Sequence, residues 1–147
     1  MNDEIVELPT EDILALRVRV LRKGTPFTHA NYPEDEYPDA VNFCIVRNGQ
    51  PVATSTWFTK ECPEIPGAPA MQLKGMAVDD ALQGEGLGAL LIERGMRHAT
   101  TAGAEIVWAR ARDSALYFYE RRGFEVRGDG FIDGPTAMPH HMVVRAV

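Results

Sequence analysis

The amino-acid sequence predicts a mixed α/β fold, with helices on both faces of one twisted, mostly antiparallel sheet. Two β-rich runs, 41–47 and 51–58, are joined by Asn48-Gly49, the strongest short-range signal for a hairpin. A third run ending at Val78 leads through a glycine-rich turn into a helical segment. The remaining segments complete the order β-α-β-β-β-α-β-α-β-β.

The N-terminal segment is predicted to form a strand, a helix and a long loop. The strand covers residues 4–8, and Thr10 is a suitable cap for a helix whose apolar positions continue to Leu21. Residues 22–38 contain three prolines and one glycine with acids between them, so we predict a loop. A loop of this length in a small protein is usually functional or mobile.

The middle of the chain is predicted to alternate between strands and a helix. Three prolines make residues 61–69 a loop, and residues 71–78 form the strand before the glycine-rich turn. The following helix runs to about Thr101 and contains Gly95, which costs about 1 kcal/mol relative to alanine. A close packing contact would explain this glycine as well as a functional role would. Residues 105–111 form the next strand.

The C-terminal segment is predicted to contain a short helix and two strands. The helix covers residues 114–122, and Gly123 is well placed as the residue that ends it. Strands at 124–127 and 142–146 are separated by a loop over residues 128–139.

Composition indicates one soluble cytoplasmic domain over residues 1–147. The chain is 45% hydrophobic and 24% charged, values typical of a globular protein. Its N-terminus is acidic, where a signal peptide would be basic. The net charge of −6 argues against nucleic acid as a partner, and it suits a cationic acceptor such as an amine.

The segment Gln83-Gly84-Glu85-Gly86-Leu87-Gly88 is the most informative part of the chain. Glycines let the backbone approach a bulky anion, and the helix that follows offers unpaired N–H groups and the positive end of its dipole. The combination predicts a diphosphate-binding turn.

Three classes of phosphate-binding loop compete for this turn. A P-loop is excluded because no Lys-Ser or Lys-Thr follows the glycines. The spacing Gly84-x-Gly86-x-x-Ala89 fits the permissive dinucleotide fingerprint, but five residues separate it from the strand end. The third pattern, Gln-x-x-Gly-x-Gly, is met by Gln83, Gly86 and Gly88. It resembles the pyrophosphate loop of the GNAT superfamily of acyl-CoA-dependent N-acyltransferases.

A second segment strengthens this resemblance. Residues 115–124, Ala-Leu-Tyr-Phe-Tyr-Glu-Arg-Arg-Gly-Phe, resemble the Ala-x-x-x-Tyr-x-x-x-Gly-Phe helix and turn of the same superfamily. The two matches occur in the family's order, about thirty residues apart, and together cover roughly residues 71–126. The resemblance implies an N-acetyltransferase that uses acetyl-CoA as co-substrate, without a metal. Its partners would be acetyl-CoA and an amine acceptor, a small molecule in preference to a protein, with a homodimer left open and no membrane contact.

The resemblance also implies roles for particular residues. Two neighbouring strands would splay apart, so that the pantetheine arm pairs with the backbone. Tyr119 would be the general acid that protonates the departing thiolate. The residues expected to bind the co-substrate are Met76, Ala77, Val78, Gln83, Gly84, Glu85, Gly86, Leu87, Gly88, Ala89 and Ser114.

Several assignments stay open at this stage. Arg112 stands where the family often has an asparagine, and Asp113 is expected to cap the helix. The general base could be an acid of residues 22–39, or His140 and His141 acting through water, although the two histidines also fit a surface or hairpin position. A CoA-binding sensor module without turnover and a nicotinamide-dependent oxidoreductase are the alternative functions.

Overall fold

The computed structural model describes residues 3–134 and 136–147, and the predicted order of elements is confirmed. The strands are β1 (Ile5–Glu7), β2 (Val41–Arg47), β3 (Gln50–Thr59), β4 (Ala70–Val78), β5 (Ile106–Arg112), β6 (Glu125–Ile132) and β7 (Pro139–Ala146). The α-helices are α1 (Leu14–Leu21), α2 (Leu87–Thr101) and α3 (Leu116–Arg121).

The strands follow the order β1-β2-β3-β4-β5-β7-β6, and the prediction of a mostly antiparallel sheet is confirmed. The parallel pair is β4 with β5, where Ala70–Gln72 lie opposite Ile106–Trp108. This parallel ladder covers three residues of each strand, whereas β5 and β7 pair over seven.

The chain divides into two compact units, and the prediction of one domain over residues 1–147 stays a prediction. The first unit comprises Met1–Phe58 and Leu73–Gly95, and the second comprises Thr59–Gln72 and Met96–Val147. In the first unit, β2 and β3 form the predicted hairpin. Asn48 (φ 52°) and Gly49 (φ 74°) both take the left-handed conformation that a two-residue hairpin turn requires.

The interior of the first unit explains Gly95. A Cβ atom at this position of α2 would overlap the indole ring of Trp57, which is fully buried. The glycine is therefore needed for close packing between helix and sheet, which is one of the two explanations that the sequence left open. Trp57 in turn donates a hydrogen bond from Nε1 to Ser55 Oγ at 2.8 Å.

The second unit has its own cluster of buried apolar residues. Its members are Cys62, Ala70, Trp108, Met142 and Val144, with Ile65 and Ile106 packed against them. The polar edge of the Trp108 indole is also satisfied, because Nε1 donates to the carbonyl oxygen of Lys60 at 2.8 Å.

Two predicted helix starts are wrong. Thr10 does not cap α1: it begins a 3-10 turn (Thr10–Asp12), and its hydroxyl accepts a hydrogen bond from Asn42 at 3.2 Å. Asp113 does not cap α3 either, because it begins the 3-10 turn Asp113–Ala115 and its carboxylate binds His141. In both cases a side chain distant in sequence competes for the capping group.

The predicted loop over residues 128–139 is also partly wrong, because β6 continues to Ile132. Pairing with β7 shifts register between Arg127 and Phe131, so a bulge accommodates the glycines that suggested a loop. Gly128 lies in this bulge with φ 76°.

Candidate active site

Strand β4 carries an irregularity just before the segment predicted to hold the pantetheine arm. Gly75 has φ 68°, a conformation that side chains disfavour within a strand. A Cβ atom there would lie 3.0 Å from Cε2 of Tyr32, so the aromatic ring packs directly on the β4 backbone. Met76, Ala77 and Val78 complete the strand, and the side chain of Ala77 is buried.

The chain between β4 and α2 is held by its own polar groups. Residues Asp80–Leu82 form a 3-10 turn, and the amide of Asp79 donates to Val52 O at 2.8 Å. The side-chain nitrogen of Gln83 donates to Val78 O at 3.2 Å and to Asp80 Oδ1 at 3.1 Å. The Gln83 side chain therefore links the turn to the end of β4 by hydrogen bonds.

Two glycines of the turn, Gly84 and Gly86, combine a left-handed backbone conformation with open space. Gly84 has φ 88° and Gly86 has φ 87°, and no heavy atom lies within 4 Å of the position that a Cβ would take at either residue. Their conformation explains why glycine is needed. The space above them leaves room for a bulky group against the backbone.

Helix α2 begins directly after this turn and is fifteen residues long. The Gly86 carbonyl accepts the amide of Leu90 at 3.2 Å, so α-helical bonding starts at the turn itself. The first four N–H groups of an α-helix have no partner within the helix, and the helix dipole adds positive potential there. Leu87 and Gly88 are buried, whereas Ala89 is half-buried.

Glu85 is the acidic residue of the turn, and an arginine compensates its charge. Arg47, the last residue of β2, places Nη1 3.3 Å from Glu85 Oε1 and Nη2 2.9 Å from Asp3 Oδ2. The hydrogen bond to Asp3 raises the pKa of Arg47, and the same contact lowers the pKa of Asp3. No motif in the sequence points to Arg47, because it precedes Glu85 by almost forty positions.

Tyr119 lies in the second unit, on α3, and its side chain is buried with 7% exposure. Its ring makes edge-to-face contacts with Phe118 and Phe124, with centroids 5.2 and 5.4 Å away. The amide of Phe124 donates to the Tyr119 carbonyl at 3.1 Å, and Gly123 takes φ 88°, as predicted for the residue that ends the helix. Aromatic packing therefore fixes the ring of Tyr119.

The other residues singled out in this unit have different surroundings. Ser114 is exposed in the 3-10 turn before α3, and the carboxylate of its neighbour Asp113 lies 2.6 Å from His141 Nδ1. His140 is buried, with Nδ1 2.8 Å from Met138 O and its ring stacked on Phe131. Both histidines lie near the start of β7, where His140 is buried and the side chain of His141 is 28% exposed.

Comparison with known proteins identifies the family. A sequence profile of the acetyltransferase (GNAT) family matches residues 10–124, which is most of the chain. The chain belongs to the GNAT family. The matched range includes the glycine-rich turn and reaches to the end of the segment around Tyr119.

Similar proteins agree with this GNAT assignment. An uncharacterized N-acetyltransferase, YitI of Bacillus subtilis, is 23% identical over 128 residues, covering 87% of this chain and 86% of that protein. An acyl-CoA N-acyltransferase from Pseudomonas aeruginosa has a crystal structure that matches with a TM-score of 0.78 at 20% identity, covering 99% of this chain and 100% of that one.

A further GNAT structure contains the expected co-substrate. A GNAT family acetyltransferase from Elizabethkingia anophelis, solved with acetyl-CoA bound, matches with a TM-score of 0.71 at 12% identity over 99% of each chain. At these identities the structural matches establish the fold. Among the residues that the structure describes, none of the helices has the length and apolar character needed to cross a membrane.

Proposed function

We propose that this GNAT protein transfers an acetyl group from acetyl-CoA to a primary amine by direct attack of the amine on the thioester. The observation that carries this proposal is the turn after β4, where left-handed glycines with open space above them lead into a long helix. Acetyl-CoA bound to a GNAT structure of the same fold supports the choice of donor.

The turn is proposed to bind the diphosphate of acetyl-CoA. Backbone amides at the start of α2 can donate hydrogen bonds to several phosphate oxygens at once, and the helix dipole favours negative charge at that end. We assign this role to the backbone of Gln83, Gly84, Glu85, Gly86, Leu87, Gly88 and Ala89. The side chain of Gln83 supports the role indirectly, because its contacts to Val78 and Asp80 stabilise the conformation of the turn.

The backbone of Met76, Ala77 and Val78 is proposed to hold the pantetheine arm as an added strand would be held. Backbone pairing makes no demand on side-chain type, so three apolar residues are suitable. Gly75 supports this assignment, because its positive φ interrupts the regular β4 conformation immediately before the segment. Ser114, exposed in the 3-10 turn before α3, is proposed as a further contact to the co-substrate.

Tyr119 is proposed as the general acid. The nitrogen of the neutral amine attacks the carbonyl carbon, a C–N bond forms, and the C–S bond breaks with its electron pair leaving on sulfur. The nitrogen, which carries a positive charge after the attack, releases one proton to water as the amide forms. The phenol then gives its proton, or a hydrogen bond, to the thiolate. Because a phenol is normally a weaker acid than a thiol, stabilisation by hydrogen bonding can contribute as much as full proton transfer.

Two measurements test the proposed function. Calorimetric titration should show saturable binding of acetyl-CoA and CoA but not of NAD, and acetyl-CoA at 100 times its Kd should add about 2.7 kcal/mol to the free energy of unfolding. A panel of primary amines screened by release of CoA thiol should then contain substrates. Absence of acetyl-CoA binding would refute the proposal, whereas binding without thiol release for any amine would favour a sensor module.

A further inference from the structure

The loop between α1 and β2 contains four acids, and the structure distinguishes one of them. Asp35 accepts hydrogen bonds from both terminal nitrogens of the fully buried Arg17, at 2.8 and 2.9 Å. Its carboxylate therefore forms an ion pair inside the protein. Glu36 and Asp39 are exposed. Glu34, in the 3-10 turn Pro33–Glu36, has a side chain only 8% exposed.

Glu34 is directed at strand β4, where it binds an ammonium group. Its Oε1 lies 3.1 Å from Nζ of Lys74, and the same nitrogen lies 4.6 Å from the centre of the Tyr32 ring. A carboxylate and an aromatic face are the two groups that proteins commonly use to recognise a primary ammonium. The Lys74 side chain is thus bound as a cationic ligand would be.

Tyr32 is positioned by the interior of the first unit. The guanidinium carbon of Arg17 lies 4.4 Å from the ring centre, and the ring packs against Gly75. Nε of Arg17 is buried without a hydrogen-bond partner, and it lies 3.2 Å from the position that a Cβ of Gly75 would take. A substitution at Gly75 would therefore disturb the ring that contacts the ammonium.

Glu34, Tyr32 and Lys74 form an ammonium-binding cluster that contacts β4 through Lys74. Its position along β4 connects it with the reaction, an argument that rests on the proposed function. If the diphosphate lies at the turn after Val78, an arm running back along β4 brings the thioester toward Met76. Gly75 and Lys74 are the next residues in that direction. With a strand rise of about 3.3 Å per residue, Lys74 lies roughly 7 Å beyond Met76.

We propose that Glu34 and Tyr32 form the subsite that binds the ammonium group of the acceptor, and that Lys74 occupies it while no acceptor is bound. The bound ammonium gives one proton to solvent before its nitrogen, now a neutral amine, attacks the thioester. The proposal assigns the acceptor to the class of cationic primary amines. It also implies that the acceptor competes with Lys74. Glu34 and Tyr32 determine specificity in this proposal, and the net charge of −6 favours the approach of such an acceptor.

The experiment uses n-butylammonium, the ion that a lysine side chain presents, as the probe. Lys74→Ala removes the resident ammonium and should bind the probe saturably in a calorimetric titration, with 1-butanol as the uncharged probe of similar size. Adding Glu34→Gln should weaken binding at least tenfold. Adding Glu36→Gln, an exposed acid of the same 3-10 turn, should leave it unchanged.

Equal binding of 1-butanol, equal binding with and without Glu34, or no binding to folded Lys74→Ala would each overturn the proposal. Lys74→Thr, which introduces a residue favoured in strands, replaces the alanine variant if that one does not fold.

A second arm separates this proposal from the proposed function. Acetyl-CoA affinity is measured on the same variants, and n-butylamine is supplied as acceptor while CoA thiol is followed. Release that requires Glu34 would support the acceptor subsite. If acetyl-CoA and the probe both bind but thiol release does not rise, the cluster is not the acceptor subsite. If acetyl-CoA does not bind at all, the proposed function fails, and with it the acceptor role.

Discussion

The glycine-rich turn and the helix α3 present their functional groups in opposite ways. Gln83 to Gly86 are exposed, Gly84 and Gly86 have open space at the position of a Cβ atom, and the turn contributes backbone amides at the start of a helix. Tyr119 on α3 is buried among aromatic rings, and its contribution is one hydroxyl on a ring held by packing. Substitutions in the turn should therefore change ligand affinity, whereas removal of the Tyr119 hydroxyl should change the rate of the reaction.

The largest effect is expected for Tyr119→Phe. The ring and its contacts with Phe118 and Phe124 are kept, so thermal stability and acetyl-CoA affinity should change little. Loss of a general acid typically lowers kcat by about 10²–10⁴-fold, as steady-state kinetics with an acceptor from the amine screen would show. Tyr117→Phe is the matched control, because Tyr117 lies on the same helix with 72% exposure. A variant that keeps most of its kcat would make the Tyr119 hydroxyl structural.

Gly86→Val tests the other side of the comparison. Valine at φ 87° strains the turn by about 1–2 kcal/mol and places a branched side chain in the open space, so acetyl-CoA binding should be abolished. Gly24→Val is the control for backbone strain alone. Gly24 also has a left-handed conformation (φ 77°) and open surroundings, but it lies in the loop after α1, outside the turn. If both variants bind acetyl-CoA like the wild type, the turn is not the diphosphate site.

Gly95→Ala tests the packing of α2 at a position away from its N-terminus. The added Cβ would overlap Trp57, and overpacking of a core typically costs about 1–3 kcal/mol of unfolding free energy. Chemical denaturation would measure this loss. Gly103→Ala, at a left-handed position just after α2 with open surroundings, separates overlap from backbone strain. Equal destabilisation by the two substitutions would contradict the packing argument.

The smallest effect is expected for Glu85→Gln. Removing the carboxylate takes one negative charge from the turn and releases Arg47 from one of its two partners, so acetyl-CoA should bind roughly two- to fivefold more tightly. The change should shrink at high salt, because exposed charges are screened. Calorimetry at two salt concentrations would measure it. Weaker binding of the variant would mean that Glu85 holds the turn in its binding conformation.

The elements that were predicted correctly depend on local chemistry. The Asn48-Gly49 hairpin, the glycine that ends α3 and the glycine-rich turn each need backbone conformations that few residue types adopt, so the residue type reveals the structure. Gly95 stood out for a related reason, since a glycine within a helix destabilises it, but only the structure chose packing against Trp57 over a functional role.

The errors occurred where a side chain found a partner far away in the sequence. Thr10 and Asp113 have the chemistry of helix caps, but Asn42 and His141 contact them instead. The glycines after Arg127 suggested a loop, yet pairing with β7 carries β6 through them as a bulge. Local propensity is weak compared with such tertiary contacts, which therefore decide the outcome.

The sequence by itself determined the order of strands and helices, the family resemblance and the position of the turn, because each depends on spacing along the chain. Only the tertiary structure distinguished Glu34 from the other acids of its loop, placed Lys74 and Tyr32 beside it, and brought Arg47 to Glu85. The partners in each contact are separated by about forty residues in the sequence. Their electrostatic interaction and their burial depend on how close they lie in space. No local pattern in the chain encodes that distance.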